Sequence, residues 1–393
     1  MFHGLPSTGV DTTNEPPATD DRRPSLCAVR TKASGLVGLG PADNDHVHAC
    51  RVVIGLVVPG VVLLIAERPD LIIFAVFGSF TGMYGRAESH RLRLRHQAQA
   101  GTVLLTGVGT GVVLSSVHAR SWMLVATEVV FASIGSLVTD RLGLSPQGPF
   151  YGIFAVGAVA TIPADRVAAW PALSICAATA TFCILVSTVG MLAAPGPGGR
   201  QLHDVRPTAC AAKRRAADSR VHALRYALAI SAAGSSGLLL GIDHANWAMA
   251  AAAVPLAAAN ARDGHSLSVS GVIQRGMHRV LGTLAGLVVA ALLLLPHLGA
   301  TFLAAVVIAL LFPTELFMTR HYGLAVWFFT PLIMLMTQLA APAEPLTFLA
   351  DRAIDNLIGV AAGIAVAVLI RGGRSTTPTH DRLAVGSPKG TPR

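Results

Sequence analysis

Apolar runs of fifteen to twenty-seven residues, separated by short polar joints, fill most of this chain. Twelve stand out: 49–66, 71–85, 98–117, 121–139, 147–163, 167–193, 223–241, 246–260, 276–295, 299–317, 323–340 and 352–371. A helix rises about 1.5 Å per residue, so about twenty apolar residues cross a hydrocarbon core. Most of the runs approach that length. The pattern predicts an all-α protein, a polytopic membrane bundle of about twelve transmembrane helices. Residues 1–48 and 372–393 are rich in Pro, Thr and Arg without periodicity, and read as disordered cytoplasmic tails.

The run His278–Leu295 shows how such a segment is built. His278 and Arg279 suit water or headgroup, and the apolar stretch behind them suits hydrocarbon. Gly282 and Gly286, four apart, share a face on which another helix can approach closely, with Thr283 placed to bond across the contact. A fainter copy begins at Arg95 and continues through Gly101-Thr102 to Gly107 and Gly111, its Gly-Thr pair 181 positions earlier. Arg51 against Arg225 and Asp165-Arg166 against Asp351-Arg352 extend the likeness. The chain thus reads as two parallel six-helix repeats, 49–193 and 223–371, joined by a cytoplasmic connector at 194–222. Six spans per half put the pseudo-two-fold along the membrane normal. The basic end of the connector (Lys213, Arg214, Arg215, Arg220) reads as a short helix on the membrane surface.

Composition narrows the class. Hydrophobic residues make up 52% and charged ones only 13%, about half the charged share of a soluble domain. A net charge of +9 arises in such a protein from Lys and Arg gathered in cytoplasmic loops and against anionic lipid, so no nucleic-acid partner is expected. With the N-terminus cytoplasmic, the inner joints hold most of the basic residues and the outer ones only Arg68, Arg120 and Arg166, with Arg352 on the border. Both termini are therefore expected inside a multi-pass protein of the cytoplasmic (inner) membrane. No apolar run follows a basic start in the first 45 residues, so no cleavable signal peptide is expected. The five cysteines and fourteen histidines are dispersed without metal-ligand spacing, so neither a metal nor a cofactor is expected.

Asn246-Trp247-Ala248, the apolar run with Pro255, and Arg279-x-x-Gly282-Thr283-Leu284-x-Gly286 together resemble the signature of the fusaric acid resistance (FUSC) family. That family includes the aromatic acid exporters, and the same block resembles the plant aluminium-activated malate transporters. The segment Asp351-Arg352-x-x-Asp355-Asn356-Leu357-Ile358-Gly359 is similar to the family's closing helix. The likeness is clear over 223–371 and weak over 49–193, where no Trp stands in the second span. It implies an inner-membrane protein that moves organic anions, commonly aromatic carboxylates, outward. The large cytoplasmic domain of many bacterial members has no counterpart here beyond the connector.

Charges inside hydrocarbon cost a few kcal/mol each, so each needs a partner or a task. Glu128, amid apolar neighbours in the fourth span, is either a proton-coupling carboxyl or a protonated side chain pinning two helices. Arg95 and Arg279, at the starts of the third and ninth spans, either meet an entering anion or snorkel to phosphate. Arg352, with Asp351, Asp355 and Asn356, is placed at the outer mouth of the twelfth span as an anchor or a gate, with Arg166 its partner in the first half. Trp247 and Asn246 open the short eighth span. It and the short second span occupy matching places, the best sequence pointer to a midplane transport site. Gly101, Thr102, Gly282, Thr283, Gly286, Gly359 and Gly363 are expected at helix contacts.

These readings converge on a transporter exporting a small organic anion, with no enzyme activity. The bilayer, the solute and further copies of the chain are its expected partners. An anion channel of the same fold, a membrane-embedded enzyme and a non-transporting scaffold are the alternatives. Short outer joints argue against the enzyme.

Overall fold

The computed structural model describes residues 45–86, 88–166, 168–193, 209–241, 245–258 and 269–370. Among them are twelve α-helices and no strand. The first six are α1 (Asp45–Ile65), α2 (Ile72–Ser79), α3 (His90–Ser116), α4 (Ser121–Leu142), α5 (Phe150–Ala160) and α6 (Ala169–Ala193). The second six are α7 (Ala209–Leu239), α8 (Ala245–Ala258), α9 (Val269–Leu294), α10 (Ala300–Phe317), α11 (Tyr322–Ala340) and α12 (Pro345–Leu369). Eight of these, α1, α3, α4, α6 and α9 to α12, are long and apolar enough to cross a membrane. With them α2, flanked by 3-10 turns, α5 and α8 make shorter apolar helices. The chain is a polytopic membrane helix bundle, as the pattern of runs predicted.

Three boundaries differ from expectation. The helical start of α1 reaches back to Asp45, whose side chain is buried, so residues 45–48 are not part of a tail; residues 1–44 and 371–393 lie outside the described residues. The basic stretch around Lys213 is no separate surface helix, because it forms the first turns of α7, continuous to Leu239. The fifth span shrinks to the eleven residues of α5. Pro146 and Pro149 precede it and Pro163 follows, and proline both lacks an N–H and disfavours a helical residue before it.

The helices sort into two layers. Along α2, α5 and α8 nearly every side chain is buried, as is most of α11, so these four are apolar all round and form the inside. The outer helices show aliphatic side chains such as Val62, Val130 and Leu292 on their outward faces.

Helix pairs in the second six repeat those in the first. α1, α2 and α3 pack on α6, as α7, α8 and α9 pack on α12; α3 runs along α5 as α9 runs along α11. Across the seam, α4 lies against α7 while α10 lies against α1.

Glycine contacts give the register. A methyl group at Gly107 would meet the Gly152 carbonyl oxygen and Ala155, and one at Gly111 the Val156 oxygen and Val159. At Gly282 it would meet the Gly323 oxygen and Val326, and at Gly286 the Trp327 oxygen and Thr330. Gly107 and Gly111 are thus the counterparts of Gly282 and Gly286. Gly101 instead faces Thr81 and Ala180, and the exposed Thr102 hydroxyl donates to the Ala98 carbonyl of its own helix. The two Gly-Thr pairs therefore do not correspond. Thr283 does bond across a contact, its hydroxyl lying 3.3 Å from Asn356 Oδ1.

Candidate functional site

Equivalent starts of α5 and α11 face one cavity at the end of the bundle where α1 begins. Of about 200 Å³, it is lined by Pro146, Gly148, Phe150 and Tyr151 from the first half and by Thr319, Tyr322, Val326 and Phe329 from the second. Arg275 and Arg279 of α9 form its charged wall. Helix starts leave N–H groups outward and carry partial positive charge. Two such starts and two guanidiniums converge here, so the cavity has a positively charged lining.

Depth distinguishes the two arginines. Arg275 is half-buried and stacks on Tyr322, its guanidinium carbon 3.3 Å from the ring centre. Arg279, one turn further in, is 2% exposed and lies 5.5 Å from the centre of the Phe150 ring. Exposed Pro146 and Thr319 mark the mouth.

Aromatic rings close the inner end. Phe150 and Phe154 stand 6.5 and 6.4 Å from Phe329, and Phe154 stands 5.3 Å from Trp247. Behind them Arg352 lies over Trp247 at 4.3 Å. Contacts of Gly276 with Val360 and Ile364, and of Thr283 with Asn356, show α9 and α12 antiparallel. At 1.5 Å per residue, the backbone of Arg352 then sits about 12 Å beyond that of Arg279 along the bundle.

Sequence reasoning placed Arg352 at an outer mouth. Instead it is 1% exposed, beside fully buried Asp355 and Asn356, because α12 begins at Pro345 and carries Arg352 two turns inward. Asn246, Trp247 and Arg279 join it in the interior. Glu128 is fully buried, and a methyl group at Gly157 would touch both its Oε1 and the Asn246 side chain, so these two are neighbours. Arg95 and Arg166 do not belong to this group, since both are exposed, one on α3 and one in the turn after α5. In the glycine register the position matching Arg279 is Leu104, so the first half has no such charge inside α3. Gly359 and Gly363 lie against the carbonyl oxygens of Ala248 and Ala252, where they bring α12 onto α8.

Several polar groups escaped the sequence reading. Asp45 accepts hydrogen bonds from Arg86 at 2.6 Å, Arg320 Nε at 2.6 Å and Thr319 at 3.2 Å, tying α1 to the turns before α3 and before α11. His48 and Glu315, 7% and 2% exposed, face each other at 3.4 Å. Glu315 interrupts an apolar run as Glu128 does, so the same rule would have found it. His48 and His96 are buried on helices. Among the described residues no three His, Cys, Asp or Glu side chains gather as a metal site.

A membrane helix bundle with an arginine-lined cavity at the seam of its halves has the form of a solute carrier. Residues 228–366 match the family described as fusaric acid resistance protein-like. The protein is a membrane transporter. No curated protein and no solved structure matches the chain.

Proposed function

We propose that the protein exports small organic anions, aromatic carboxylates among them, from the cytoplasm along the seam of a duplicated bundle whose halves span 49–193 and 223–371. The observation that carries this reading is the cavity ending at buried Arg279 between the starts of α5 and α11. With both termini cytoplasmic, the cavity opens to the cytoplasm and accepts the carboxylate at Arg275 before Arg279. The rings of Phe150, Phe154 and Phe329 offer a planar solute faces and edges to stack on. Glu128, buried beside Asn246, is the group assigned to bind a proton and couple transport to the gradient.

Everted vesicles of the cytoplasmic membrane test this. Radiolabelled benzoate should accumulate saturably and faster with an inside-acid gradient; accumulation no greater than in vesicles lacking the protein overturns the proposal. Arg279→Gln should raise KM tenfold or more, because a hydrogen bond to a charged group contributes about 1.5–3 kcal/mol. Glu128→Gln should retain downhill flux while losing the response to the gradient.

A further inference from the structure

The guanidinium of Arg352 has a geometry that neither the cavity nor the helix packing uses. The guanidinium carbon lies over the Trp247 indole, 4.3 Å from the ring centre. Its Nε, Nη1 and Nη2 are all buried without a hydrogen-bond partner. Contact with the ring satisfies none of these donors and leaves the fork that binds a carboxylate through two parallel hydrogen bonds. Asp355 follows one turn later on α12, yet both its carboxylate oxygens are buried without a hydrogen-bond partner too. Asn356 Nδ2 adjoins them in the same condition.

A buried guanidinium in hydrocarbon is costly to hold there unless an anion meets it. Arg279 is near enough to repel Arg352, and Asp355 is near enough to attract it. Asp351 acts on Asp355 in turn, and neither acid bonds the fork of Arg352.

We infer that Arg352 is a second anion site beyond the aromatic barrier, where a solute carboxylate binds the free edge of the guanidinium and takes the place of Asp355 as its counter-ion. The inference rests on the transport reading. It adds a stage to it: the anion is held first at Arg279 and then at Arg352, whose backbone lies about 12 Å further along the bundle. Trp247 positions the guanidinium through the ring contact, which takes up none of the donors.

Trp247 reports on this stage. Phe in place of Trp122, Trp170 and Trp327 leaves it the sole indole of the four in the chain. Benzoate added to this purified protein should change the Trp247 emission saturably. Arg352→Gln should abolish the change, and Arg352→Lys, which keeps the charge without the fork, should weaken binding at least threefold. Asp355→Asn, which removes the competing carboxylate, should tighten binding at least threefold; a merely structural Asp355 would give no tightening. An unaltered titration curve in Arg352→Gln, or unchanged or weaker binding in a monodisperse Asp355→Asn protein, overturns the inference. If Arg352→Gln does not fold, the Arg352→Lys and Asp355→Asn titrations decide. Flux in vesicles is scored separately: a saturating Trp247 signal without flux sinks the export reading and keeps the site. Flux that persists in Arg352→Gln with an unaltered Trp247 signal does the reverse.

Discussion

Gly282 governs how closely α9 and α11 approach, because a methyl group there would stand 2.5 Å from the Gly323 carbonyl oxygen and 2.9 Å from Val326. Backbone cannot yield as a flexible side chain can. Gly282→Ala should therefore lower the melting temperature in detergent, by an amount matching about 1–3 kcal/mol of overpacking. Gly109→Ala, where the nearest atom is a Leu173 methyl at 3.6 Å, should melt like the parent. Which individual residues were legible follows the same physics. A polar side chain inside an apolar run is conspicuous, so Glu128 stands out in the sequence, whereas Arg279 and Arg352 stand at the ends of their runs and only the structure shows them buried. Arg95 and Arg166 were drawn in only by analogy with the second half, and both prove exposed. Tyr151, Tyr322 and Arg275 gave no signal, because their meeting depends on how the two halves face each other.

At the scale of elements, most helices follow from runs of apolar residues, and their ends from local chemistry. The start of α12 is an example: Glu344 accepts a hydrogen bond from the Thr347 N–H at 2.6 Å, with Pro345 next in line. Bonds from the Thr347 backbone, its hydroxyl and the Leu346 backbone hold the Glu344 carboxyl below its usual range. A carboxyl with a depressed folded pKa stabilises above its unfolded value, about 4.3, and loses that contribution as pH falls through the folded pKa. Glu344→Ala should accordingly melt earlier than the parent at pH 7, and the difference should narrow as pH falls through the depressed pKa of the carboxyl. The connector is the counter-example. Its basic residues suggested a surface helix, whereas helix propagation adds a bond for each residue fixed, and α7 runs through them without a break.

For the whole molecule, a dozen helices could be read from the apolar runs, but the register between the first six and the second six could not. Glycines at a helix contact look alike in sequence, and only their neighbours separate the pair Gly107/Gly111 from the pair Gly101/Thr102. The seam also holds a clasp that spacing cannot reveal, in which Asp45 joins Arg86 to Arg320 from opposite halves. Asp45→Ala should raise amide hydrogen exchange together in residues 84–89 and 318–321, two segments remote in sequence; an increase confined to the start of α1 would show that the clasp does not couple them. The contact of α12 with α8 has a mechanical meaning of its own. Where Gly359 and Gly363 press on the Ala248 and Ala252 carbonyls there is no side-chain cushion to slide over, so the two helices form a girder. A girder of this kind can tilt only as one piece, so Trp247 and Arg352, mounted on its two members, are held at a fixed spacing from each other.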